Sequence, residues 1–214
     1  QITESAKTDL WSRLMEFKED IDEYEGIDQS VKRNAISRLN NVIQSIKPTV
    51  PSQLYIKLFN DGFFLKERKK NETWEESEDR LNSIRLDAIK SIVDYGGIND
   101  ALLFAKSVDN SFAVGRAIAD LNISELDSLI LPNQLNSNDS KEQDMLSAFI
   151  KFRFKKEGWD WIDKIGLNNW SIDEKAVFLS HLQFTMETWL KVENILGIEE
   201  QKYWSRVLIS GFID

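Results

Sequence analysis

The residue types that carry most enzyme chemistry are sparse in this chain of 214 residues. His181 is its single histidine, and it has no cysteine. A histidine acting as general base or metal ligand needs a partner within reach. The nearest candidates, Asp173 and Glu174, fall about two turns earlier on the same expected helix. Phe178 stands three residues before His181, where a Glu-x-x-His pair would need an acid. His181 therefore reads as an ordinary histidine on or partly beneath a helix surface. The lack of cysteine excludes disulfides, thiolate zinc sites and cysteine nucleophiles, and it fits a reducing compartment. No glycine-rich phosphate loop is present. The sequence thus assigns no catalytic residue, no cofactor and no metal site.

Carboxylates are abundant, with 36 Asp plus Glu. Asp20, Asp22, Glu23 and Glu25 gather near the end of the first expected helix, where the macrodipole disfavours negative charge. The run lacks the glycine and the spacing of an EF-hand loop and reads as a solvated acidic surface. A carboxylate site in a helical cleft is the enzymatic alternative, and it has no distinctive pair in the sequence.

Two basic runs stand out: Lys66, Arg68, Lys69 and Lys70, then Lys151, Arg153, Lys155 and Lys156. Phe152 and Phe154 interleave with the second run, a mixture that can bind single-stranded nucleic acid. In a helix, however, Phe149 and Phe152 turn inward and the lysines outward. The net charge of −9 also repels phosphate backbones at long range. Nucleic-acid binding is therefore the lesser alternative.

The tryptophans point elsewhere. Trp74 lies on an acidic helix, and Trp159, Trp161 and Trp170 flank turns. Large aromatic side chains anchor interfaces as well as cores. These four are the candidate partner-binding residues.

The elements that must position these residues are helical. Leu10, Leu14, Phe17 and Ile21 form one stripe. Val31, Ala35, Leu39, Val42 and Ile46 form the next, ended by Pro48 and Pro51. A long helix is expected over 72–95, with Leu81, Ile84, Ala88, Ile92 and Tyr95 as its apolar positions and Gly96-Gly97 as its stop. Asn99 is a candidate cap for the helix that follows. Ala113, Gly115, Ala117 and Ala119 would let another helix approach closely. Gly115 costs about 1 kcal/mol against alanine in a helix, which suggests tight packing. Ser171 with Glu174 fits a capping box. Little supports strands beyond a small hairpin candidate over 62–65.

The polar stretch 133–140 is the expected linker. It would separate a helical lobe over 1–132 from a Trp-rich lobe over 141–214, unless the two form one continuous array. Within the second lobe, Trp161-Ile162 before Gly166 and Ile172 echoes Trp189-Leu190 before Gly197 and Ile198. Phe178 would then match Trp204, and Leu182 would match Leu208. Repeats of roughly 20–50 residues are typical of helical-hairpin arrays.

On these residues, and on the stretch from Gly96 to Leu121, the chain resembles HEAT-like helical-repeat segments of large bacterial multidomain proteins. The resemblance implies an all-α fold of stacked antiparallel helix pairs, as a solenoid-like or irregular helical array. It implies a non-catalytic scaffold or recognition module, contacting a protein partner or neighbouring domains of one polypeptide, such as a signalling or defence ATPase. The start at Gln1 favours an excerpt of a longer protein. No apolar run approaches a membrane span, so a cytoplasmic location is expected.

Overall fold

A computed structural model describes residues 3–24, 26, 28–60, 72–123 and 125–207. The fold is all-α, and no strand occurs among the described residues. The hairpin candidate over 62–65 and the basic run Lys66, Arg68, Lys69 and Lys70 lie outside the described residues. The chain divides into two compact units, residues 1–57 and 58–214.

The first unit opens with α1 (Glu4–Glu23), capped by the Thr3 hydroxyl, which accepts from the Ala6 amide at 3.2 Å. α2 (Gln29–Ser45) is capped by Asp28. Its carboxylate accepts from Ser30 and Val31, and these bonds hold it below the usual carboxylate range. Lys32 closes the turn by donating to the Asp22 carbonyl at 2.5 Å and the Tyr24 carbonyl at 3.2 Å. Cations suit that end of a helix. A short helix α3 (Pro51–Leu54) follows, with proline at its first position, where a missing N–H costs nothing. Lys57 reaches back to the Ser12 carbonyl and Glu16. The amphipathic stripes exist as the spacing predicts, yet little covers them. Ile43 is the one large apolar side chain fully buried among the unit's described residues.

The second unit carries the main core. α4 (Trp74–Gly96) starts with a capping box between Thr73 and Glu76 and ends at Gly97 (φ 81°). Gly97 also leads directly into α5 (Ile98–Ser107), so Asn99 lies inside that helix rather than capping it. Asn110 caps α6 (Ser111–Ala119) by accepting from Ala113 at 2.9 Å. α7 (Leu126–Ile130) and a 3₁₀ turn over Asn133–Asn136 lead to α8 (Ser140–Glu157). Then come α9 (Trp159–Ile165), α10 (Ile172–Ser180), α11 (Met186–Leu196) and α12 (Gln201–Trp204). The capping box of Ser171 with Glu174 is formed.

The most extensive packing is α6 against α8. Its cause is in the sequence. Ala113, Gly115, Ala117 and Ala119 are all buried, and a Cβ on Gly115 would stand 1.9 Å from the Met145 carbonyl oxygen. Only a missing side chain allows that approach. Around this pair lie Phe104, Ile89, Ile118 and Phe149, each at most 2% exposed. Burying one such side chain is worth about 1.5–3 kcal/mol.

Residues 133–140 do not mark the border between units. Leu135 is buried, and the 3₁₀ turn packs on α7, α8 and α10. One apolar side chain in a polar stretch suffices to tie it down. The internal echo survives in part. Gly166 and Gly197 both have positive φ, and both lead into 3₁₀ turns, over Leu167–Asn169 and Gly197–Glu199. Burial does not match, since Phe178 is 0% exposed and Trp204 is 41% exposed.

Candidate functional site

The first unit presents an open trough of about 780 Å³ between α1 and α2. Phe17 and Ile21 form one wall, and Val31, Ala35, Leu39 and Val42 form the other. Phe17, Val31 and Val42 remain 55%, 59% and 47% exposed. Scattered surface leucines are ordinary, but a row of large apolar side chains along one groove is not. Arg38 lines the trough and has no ion-pair partner among the described residues.

In the second unit, a cleft of about 370 Å³ opens beside α7, α8 and α9. Arg153 lies in it and is spent on its neighbours. It donates to Asp127 at 3.0 and 3.2 Å and pairs with Glu157 at 2.8 Å. Lys164 pairs with Glu157 at 3.5 Å. Both described cations of this cleft are thus paired with acids.

A second cleft in this unit, about 260 Å³, opens between α4 and α6. Arg85 lines it and is only 8% exposed. Its Nε donates to the Leu58 carbonyl at 2.8 Å, and its guanidinium sits 5.5 Å from the Phe59 ring. No carboxylate pairs with Arg85 among the described residues. Burial, with the neighbouring Arg116 charge added, lowers its pKa to about 10, against an opposing pull from Glu78. Arg116 itself pairs with Glu78 at 2.6 Å and lies 4.6 Å over the Phe152 ring. Asn82 also lines the cleft, and its Nδ2 is buried without an acceptor.

The four singled-out tryptophans separate. Trp74 is 54% exposed at the start of α4 and lines the α4–α6 cleft. Trp159 is half-buried, edge-on to Phe154 at 5.2 Å, with Lys191 over its ring at 5.3 Å. Trp161 is 1% exposed and belongs to the core, between Phe149 and Phe178. That burial leaves it no surface to offer a partner. Trp170 is half-buried against Phe178 at 5.3 Å and lines the α7–α9 cleft.

The second basic run separates too. Lys151, Lys155 and Lys156 are exposed, whereas Arg153 is held inward by two acids. Phe149 is fully buried and Phe152 partly so, as their helical spacing predicts. His181 is half-buried at the C-terminal cap of α10, and burial lowers its pKa. No cluster of metal-binding side chains occurs among the described residues.

Reading by residue type missed Arg85. The signal was present: Arg85 stands four residues after Leu81 and three before Ala88, on the apolar stripe of α4 itself. A charge on the core side of a helix is the informative exception to ordinary patterning. Arg116 and Asn82 carried no such mark. The chain matches no protein-family model, no curated protein and no solved structure.

Proposed function

We infer that this chain is a non-catalytic recognition module of the helical-repeat kind, working on a protein partner or on neighbouring parts of a larger bacterial polypeptide. The observation that carries the reading is the uncovered apolar row along the α1–α2 trough, where Phe17, Val31 and Val42 stay in water. Leaving such area exposed forfeits roughly 25 cal/mol per Å² of burial, which a partner can recover. A helix laid in a groove is the simplest occupant, read by apolar anchors at helical spacing.

Charge selects among such helices. Among the described residues Arg38 is the one charged side chain that lines the trough. The fitting ligand is an amphipathic helix with acidic residues flanking its apolar stripe.

The test is a display library of helical peptides selected on the whole chain. Selected peptides should carry an acidic flank. They should lose about tenfold or more in affinity to Phe17→Asp or Val42→Asp, the scale of one interface anchor. Arg38→Glu should weaken them as well. Selected peptides indifferent to all three changes would refute the reading. So would a salt-sensitive nucleic-acid shift abolished by Lys155→Glu with Lys156→Glu.

A further inference from the structure

We propose that the cleft between α4 and α6 binds a monocarboxylate with an apolar or aromatic body, gripped by the Arg85 guanidinium. The site is separate from the α1–α2 trough and does not depend on it.

The argument starts from an unspent charge. A buried cation is ordinarily paired, because desolvation without compensation is costly. Arg85 is 8% exposed and has one hydrogen bond, from Nε to the Leu58 carbonyl. The two terminal amino groups of its fork have no protein acceptor among the described residues. A guanidinium fork matches a carboxylate with two parallel bonds. Asn82 also lines this cleft, and its Nδ2 is buried without an acceptor. By contrast, Arg153 in the other cleft of this unit is fully occupied by Asp127 and Glu157. The two clefts therefore differ in the property that matters for an anion.

Charge counting fixes the valence. Among the described lining residues Arg116 is neutralised by Glu78, so one net positive charge remains, on Arg85. That suits a monoanion. A phosphate dianion would meet the Glu78 carboxylate with too little compensation. The walls fix the body. Leu81, Phe112 and Trp74 face the space, and about 260 Å³ lies below the range of drug-sized pockets. The occupant is a small acid or the carboxyl end of a peptide, which share this chemistry.

The experiment titrates the whole chain by calorimetry with 3-phenylpropionate, 3-phenylpropionamide, inorganic phosphate and acetyl-Ala-Ala-Phe with a free carboxyl end. Saturable binding of 3-phenylpropionate is expected. The amide and phosphate should bind at least about tenfold more weakly, the cost of losing one charge-assisted contact. If the peptide binds more tightly than the free acid, the source is a chain end; if it binds more weakly, the source is a small molecule. Arg85→Gln should abolish binding. Because Arg85 also holds the Leu58 carbonyl, Trp74→Glu is the companion variant. It sets a like charge at the rim, in a first helical turn that tolerates acids. It should weaken 3-phenylpropionate by about tenfold while the chain still unfolds cooperatively. The proposal falls if 3-phenylpropionate does not saturate. It falls equally if the amide or phosphate binds as well, or if Trp74→Glu binds like the parent chain.

Discussion

At the residue scale, the burial of His181, the one histidine of the chain, links its protonation to folding. Burial lowers the folded-state pKa of His181 below the ordinary 6.5. Above that value both folded and unfolded chains hold it neutral, and it contributes nothing. As pH falls through 6.5, the unfolded chain takes the proton first, so stability declines toward the depressed folded-state value. Urea midpoints between about pH 7.5 and pH 5.5 should show this decline, and His181→Gln should flatten it. Glu76 and Glu142 act in a lower window. Their carboxyls are depressed, the first by bonds from Thr73, the second by Lys106 and then Ser137. Their contribution is present above the ordinary 4.5 and is lost as pH falls further. A midpoint that does not change between about pH 7.5 and pH 5.5 would contradict the assignment to His181. Tryptophans show how far a residue type alone can be read. Trp74 and Trp161 are alike in letter, yet one is 54% exposed and the other 1%. What separates them is position. Trp74 opens a helix, whereas Trp161 lies inside α9, facing Phe149 and Phe178.

At the element scale, the close approach of α6 and α8 rests on one absent side chain. In Gly115→Ala the new Cβ would meet a backbone carbonyl, Met145 O, at 1.9 Å. Backbone cannot rotate away as a flexible side chain would, so the helices must part. Overpacking of this kind costs about 1–3 kcal/mol, and this site belongs at the upper end. Equilibrium urea unfolding would report it, and a loss below about 0.5 kcal/mol, the scatter of neutral surface changes, would be incompatible with the contact. This packing was legible, because alternating small residues with a glycine in mid-helix have few other uses. The helix ends were legible where glycine or a capping box marked them, as at Gly97 and Ser171. Leu135 was not legible as a tether, since its immediate neighbours are all polar. The α4–α6 cleft was half legible. Arg85 broke the apolar stripe, but nothing in sequence told that no acid among the described residues would pair with it.

At the scale of the whole molecule, the two units differ in how much they bury. Residues 1–57 have Ile43 as their one large buried apolar side chain among those described, whereas residues 58–214 bury most of the core. Local opening is governed by such differences. Amide hydrogen exchange should therefore be fastest in α1 and α2 and slowest in α6 and α8. Equal protection in the two units would show that something else covers the trough. Arg116 carries a last consequence. One guanidinium grips Glu78 of α4 from α6 while resting on the Phe152 ring of α8. The cleft and the innermost helix pair therefore share a side chain. Occupancy and unfolding are reciprocally linked. A rise in the thermal midpoint of that pair would serve as a gauge of how full the cleft is, readable before the natural occupant has been identified.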